Sequence, residues 1–164
     1  MIYNEIEQDL FKANDELVTP DEPLYDLAHC ISADFAMAGG IAVEFNRRWD
    51  MKNRLITKCR HVFPQFDFTQ GFAISENVGQ FQVYNLVTKR HVEDLPTIYT
   101  IENALVSMKQ QMKQSNSHRV AMPLIGCGID RQNWNDVKAT IQKVFGNTNI
   151  EVLICRMPKT NKIV

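Results

Sequence analysis

Twice along this chain an apolar, strand-like run passes through glycines into an apolar stripe with helical spacing. Leu24 to Ile31 leads to Gly39-Gly40 and on to Ile41, Phe45 and Trp49, which recur every four residues. Val120 to Ile125 leads to Gly126-Cys127-Gly128 and on to Trp134, Val137, Ile141, Val144 and Phe145. A strand this apolar has to be covered on both faces, and a strand that feeds a helix returns to its sheet in the same direction, so both units belong in a largely parallel sheet flanked by helices. With 164 residues, 45% of them hydrophobic and 23% charged, the chain matches one globular domain.

The remaining segments fit the same architecture. Ile2 to Leu10 alternates poorly and reads as an edge strand, and residues 12–23, with two prolines and several turn formers, read as a loop. Phe72 and Ile74, then Phe81, Val83, Asn85 and Val87, alternate on either side of Glu76-Asn77-Val78-Gly79, which predicts two strands joined by a tight turn. Ile98, Ile101, Leu105, Met108 and Met112 mark a long amphipathic helix entered through Pro96 and Thr97. Asn133 with Asp136 three residues on forms a capping pair for the last helix, Gly146 and Asn147 close it, and Ile150 to Cys155 supplies a final strand. The expected fold class is an α/β three-layer sandwich with a mixed central sheet, built from residues 1–157 and followed by a polar tail over 158–164.

Charge and cysteine usage narrow the function. The formal net charge is -1, so no whole-protein field draws the chain onto nucleic acid or an anionic membrane, and an anionic ligand must be held by local geometry. The longest apolar or small stretch, Phe35 to Val43, is less than half of a bilayer span, and the acidic start lacks the pattern of a secretory signal. An intracellular protein that acts as a monomer is expected. Cys30, Cys59, Cys127 and Cys155 are far apart, without a C-x-x-C pair or a histidine at ligand spacing, so neither a disulfide framework nor a metal site is expected.

The glycines point to the ligand. Four of the chain's seven lie in the two strand-to-helix loops, where α/β folds bind ligands beyond the carboxyl ends of their strands. Without side chains there, backbone N–H groups can close on phosphate oxygens beside a helix N-terminus. Taken singly, each loop serves equally as a tight turn; together they fit a diphosphate.

The strings LAHCISADFAMAGGIAVEFNRRW, LVTKR and VAMPLIGCGIDRQNW carry a specific resemblance. From about Ile2 to Met157 the chain resembles a macrodomain, in particular the terminal ADP-ribose protein glycohydrolase branch, which also deacetylates O-acetyl-ADP-ribose. The resemblance implies Lys89 as nucleophile and Asp130 as its partner, with the distal ribose between their loops and Gly39, Gly40 and Ile41 facing them. It assigns the adenine end to Asp9 and Leu10, with Ser32 and Met157 lining the cleft, and the diphosphate to Leu124, Ile125, Gly126, Cys127, Gly128, Ile129 and Asp130. ADP-ribose and ADP-ribosylated proteins are the implied partners, without a cofactor. The chain departs from the family pattern at Gln8, at the order Ala38-Gly39-Gly40 and at Cys155.

An amine attacks only when neutral, and a neighbouring carboxylate favours the ammonium. The pair implied by the resemblance can work if the closed cleft desolvates Lys89, or if Asp130 takes the ammonium proton as carbon is attacked, which makes the two a coupled unit. Read without the resemblance, Lys89 is an ordinary surface charge and Asp130 a charge at a helix start. Cys127 has no base beside it and reads as a packed thiol, His29 as a core histidine, and Trp49 and Trp134 as core residues. The alternatives are a non-catalytic ADP-ribose reader or a phosphatase acting on ADP-ribose 1''-phosphate. Nucleic-acid binding is the weakest of the competing functions.

Overall fold

A computed structural model describes residues 1–60 and 70–158. A six-stranded sheet runs through its middle in the order β1-β6-β5-β2-β4-β3. The strands are β1 Ile2–Glu7, β2 Asp26–Ser32, β3 Phe72–Asn77, β4 Gln82–Lys89, β5 Arg119–Met122 and β6 Glu151–Arg156. Every neighbouring pair is parallel except β3 with β4, which is the predicted hairpin. The sequence reading of an α/β sandwich with a mixed sheet is the observed fold.

Alternation along the strands sorts the core into two layers. Tyr84 and Leu86 of β4, with Ala28, Val120, Met122, Val152 and Ile154, meet the buried stripe Ile101, Leu105, Met108 and Met112 of α4 (Ile98–Gln114) and Val137, Ile141 and Phe145 of α5 (Trp134–Phe145). Val83, Val87, Leu27, Ile31 and Leu153 face the other way. They pack on Ala13 of α1 (Ala13–Glu16), Phe45 of α2 (Ala42–Trp49), and Met51 and Leu55 of α3 (Met51–Lys58). Each fully buried apolar side chain of this size contributes about 1.5–3 kcal/mol relative to exposure, so the two layers hold the sheet from both sides.

Local chemistry sets the ends of these elements. Thr97 caps α4 through a reciprocal pair with Thr100, and Asn133 caps α5 by accepting from the backbone of Asn135 and Asp136. At the amino end of β2 the buried carboxylate of Asp26 accepts from Gln82 N at 2.9 Å and from Ser117 Oγ. That anchor ties the starts of β2 and β4, and at their far ends Ser32 lies level with Lys89.

The structure differs from the sequence reading in several places. β1 stops at Glu7, because Asp9 caps a 3₁₀ turn at Leu10–Lys12 that runs into α1, so part of the expected loop is helical. α3 was not foreseen: Asp50 adopts a left-handed φ of 50°, ending α2 and redirecting the chain into a second short helix. β5 ends at Met122 rather than Ile125, since Pro123 cannot donate to the ladder. Gly146 closes α5 in the right-handed region with φ -55°. A Cβ there would come within 2.7 Å of Gln142 O, which makes its glycine a matter of space. Only Pro158 of the predicted polar tail lies within the described residues.

Candidate active site

The carboxyl ends of the parallel strands open into a cleft of about 920 Å³, a size typical of sites that enclose a small organic ligand. Each strand delivers part of its wall. Asp9 follows β1, Ser32 ends β2, and Gly39, Gly40 and Ile41 follow in the loop to α2. Lys89 ends β4, Leu124 through Asp130 form the loop after β5, and Met157 follows β6. Leu10 is the exception among the residues named from sequence. Its side chain is 1% exposed, packed in the core rather than on the cleft.

Lys89 and Asp130 meet inside the cleft, with Lys89 Nζ donating to Asp130 Oδ1 at 2.7 Å and both residues buried. Two turns place Asp130: Gln132 N donates back to Gly126 O at 2.7 Å and Arg131 N to Gly128 O at 3.2 Å. The Gln132 side chain reaches Pro96 O at 2.8 Å and holds the loop to the entry of α4. Gly126 is needed at that fold because its φ is +73° and an added Cβ would lie 2.9 Å from Ile101 Cδ1. Across the cleft, the Cβ position of Gly39 lies 3.3 Å from Ile129 Cδ1, so the two glycine loops touch there.

The loop after β2 is strained. Phe35 and Met37 have φ values of 54° and 48°, a conformation that costs a non-glycine residue about 1–3 kcal/mol. Both side chains are buried, and that burial offsets the cost. Asp34 anchors the loop's start, accepting from Ser32 Oγ, from Ala36 N at 3.1 Å and from Val92 N at 3.1 Å. Burial opposes ionisation of this carboxyl, but the Ser32 hydroxyl, the two backbone donors and nearby His91 together hold it below the usual carboxylate range.

Burial disfavours the thiolate form of the cysteines at the cleft. Burial, then the charge of Asp130, pushes Cys30 up to about 12 and raises Cys127, while burial and Asp9 push Cys155 up to about 12. Cys155 is buried as expected, whereas Cys30, Cys59 and Cys127 are only partly covered. His29 is the core histidine that the sequence suggested, fully buried and stacked on Phe45 at 3.8 Å. Trp49 and Trp134 pack against the two core layers, partly exposed. Among the described residues no group of three His, Cys, Asp or Glu side chains is arranged to hold a metal ion, and no helix is long and apolar enough to cross a membrane.

Sequence reasoning missed other wall residues, among them Phe11, Glu44, Arg48 and Val92. Arg48 lies over the Phe11 ring at 4.6 Å and bonds Glu44 Oε1 at 2.7 Å. The i,i+4 spacing of that pair was legible, but nothing in the sequence turned that face of α2 toward the cleft.

Fold and cleft together define a macrodomain-type α/β protein. The macrodomain of Mycobacterium tuberculosis DarG superposes with a TM-score of 0.76 at 20% identity, covering 96% of this chain and 99% of that one. Thermosipho africanus DarTG in complex with ADP-ribose gives a TM-score of 0.76 at 18% identity over 99% of this chain and 43% of that one. No family model matches the chain. In sequence it is 32% identical to the human ADP-ribose glycohydrolase OARD1 over 128 residues, 78% of this chain and 79% of the relative. It is 24% identical to a DNA ADP-ribosyl glycohydrolase of Mycobacterium tuberculosis over 82% of this chain and 38% of that protein. The chain belongs to the macrodomain family, in its terminal ADP-ribose glycohydrolase branch.

Proposed function

We propose that this protein is a hydrolase that removes ADP-ribose from carboxylate side chains of proteins and deacetylates O-acetyl-ADP-ribose, with Lys89 and Asp130 as the reacting pair. The observation that carries the reading is their buried 2.7 Å contact inside a cleft framed by two glycine loops. A buried ion pair is a weak source of stability, and its placement at the ligand end of the sheet gives it a chemical task instead.

The ligand's pyrophosphate lies along Leu124 to Ile129, where the glycines permit close backbone approach, and its adenine lies toward Asp9, Leu10 and Met157. Leu10 then serves through its backbone, since its side chain is buried. The distal ribose reaches between Gly39-Gly40 and Lys89. As Nζ attacks the anomeric carbon, a C–N bond forms, the bond to the protein's carboxylate oxygen breaks, and the carboxylate leaves with the electron pair. Asp130 takes the proton that Nζ loses. Water then adds at the same carbon as the C–N bond breaks and the amine leaves with the electron pair; Asp130 returns its proton to Nζ, the proton lost by the water passes to solvent, and ADP-ribose is released.

The test is incubation with a carboxylate-linked mono-ADP-ribosylated peptide and detection of free ADP-ribose. Turnover by the wild-type protein and none by Lys89→Ala is the expected result. Binding of ADP-ribose without turnover would make the protein a reader, and full turnover by Lys89→Ala would move the attack to water with Asp130 as base.

A further inference from the structure

The lysine–aspartate chemistry leaves Asp34 without a task, yet its carboxylate joins two chain segments whose residues Ser32, Gly39, Lys89 and Val92 line the cleft. One oxygen accepts from Ser32 Oγ at 2.5 Å and Ala36 N at 3.1 Å, both on the segment that leads to Gly39-Gly40. The other accepts from Val92 N at 3.1 Å, in the segment that follows Lys89. Two backbone bonds begin the same seam, Ala33 N to Lys89 O at 2.8 Å and Asp34 N to Arg90 O at 3.2 Å. We propose that Asp34 is a positioning residue for hydrolysis, which fixes Lys89 and Val92 against the Gly39-Gly40 side of the cleft by bridging the loops after β2 and β4.

Sequence spacing alone makes Asp34 a local turn residue bonded two positions on to Ala36 N. The Val92 bond exceeds that role, because Val92 is 58 positions away and itself lines the cleft. The strain just downstream gives the bridge something to hold. Phe35 and Met37 keep left-handed φ values of 54° and 48° between Asp34 and the glycines, so the loop's path depends on fixed points at its start. A carboxylate suits this position because both oxygens accept, whereas an amide has one accepting oxygen. In Asp34→Asn the oxygen can keep Ser32 and Ala36, while the NH₂ group would face the Val92 N–H, donor to donor. That variant removes the side-chain bond to Val92 and keeps the turn and the two backbone bonds of the seam.

This inference rests on the hydrolase reading, and the experiment separates the two. Wild type, Asp34→Asn and Asp34→Ala are compared for kcat and KM on the carboxylate-linked peptide, for ADP-ribose affinity by calorimetry, and for Tm. Misplacement of reacting groups by about 1 Å costs on the order of a hundredfold in rate, so Asp34→Asn should lose about tenfold or more in kcat. Its ADP-ribose Kd should stay within about threefold, because the diphosphate loop after β5 is untouched. Val92 N–H should also exchange faster with solvent in Asp34→Asn than in wild type. Wild-type kcat in a folded Asp34→Asn overturns the proposal, as does a parallel loss of kcat, affinity and Tm in that variant, the mark of a merely structural role. If Asp34→Ala does not fold, Asp34→Asn decides alone. No turnover by the wild-type protein overturns the hydrolase reading, and this proposal with it.

Discussion

Lowering the pH should destabilise this protein through His29 by an amount the structure sets. His29 Nε2 lies 2.7 Å from Asn85 Oδ1, an acceptor, so that nitrogen carries the proton and Nδ1 carries the lone pair. Nδ1 is buried without a hydrogen-bond partner, and the ring lies flat on Phe45 at 3.8 Å with an interplanar angle of 8°. Protonating Nδ1 would place a charge in that apolar sandwich. Burial therefore pushes the imidazole down to about 4 from 6.5, despite the bond to Asn85. The unfolded chain takes up a proton below pH 6.5 while the folded chain does not until about pH 4. The contribution to stability is thus complete above pH 6.5 and is lost progressively as pH falls to 4, at about 1.4 kcal/mol per pH unit, or about 3 kcal/mol in all. Other groups titrate across the same range, so the assay is a comparison with His29→Gln, whose amide can still donate to Asn85 but does not titrate. Urea unfolding at pH 7 should find the variant weaker by about 1–2 kcal/mol, from lost ring stacking and packing. By pH 4 that difference should shrink by about 3 kcal/mol and change sign. Stability curves for the two proteins that stay parallel from pH 7 to pH 4 would refute the argument, as would an imidazole resonance of His29 that titrates near 6.5 in the folded protein.

The other predictions concern the cleft. ADP-ribose should raise Tm by at least about 3 °C at saturating concentration while adenosine raises it little, because binding to the native state alone stabilises it and the diphosphate is proposed to lie on the loop after β5; equal shifts for the two ligands would remove the diphosphate from that loop. Gly128→Val should fold normally, since nothing lies within 4 Å of an added Cβ at that position, and should weaken ADP-ribose binding about tenfold or more because the branches enter the space beside the loop; unchanged affinity by calorimetry would make the loop a plain turn. Lys89→Ala and Asp130→Ala should each lose turnover by at least about a hundredfold, and the double variant should be no slower than the worse single one, as for groups that act as one unit; additive losses in kcat would separate their roles. Lys89→Ala should also be less stable than wild type, because it leaves the buried Asp130 carboxylate without its partner, which thermal unfolding would show.

Much of this architecture was legible because its causes are local or periodic. The stripe Ile98, Ile101, Leu105, Met108, Met112 can bury one face only as a helix, and Thr97 and Asn133 cap where their side chains can accept backbone protons. The apolar strand through His29 needed cover on both faces and received it. Features that depended on one residue's departure from its neighbours were not legible. Asp50 breaks a continuous helical stretch by adopting φ 50°, and Phe35 and Met37 hold left-handed conformations that no propensity favours. Such conformations persist because surrounding packing fixes them, and packing is invisible until the chain has folded.

The candidate site divides in the same way. The residues proposed for its chemistry were legible in the sequence: the glycine loops by composition and position, and Lys89 and Asp130 through the motifs they close. Tertiary structure alone brought Lys89 and Asp130, 41 positions apart, to 2.7 Å. It also turned Arg48 and Glu44 toward the cleft, sent the Leu10 side chain into the core, and set Asp34 as a bridge to Val92. The sequence determined which segments become strands and helices, since alternation and helical spacing are properties of consecutive residues. Which segments lie side by side was decided by the sheet order β1-β6-β5-β2-β4-β3, in which distant strands become neighbours so that both faces of the sheet are covered at once.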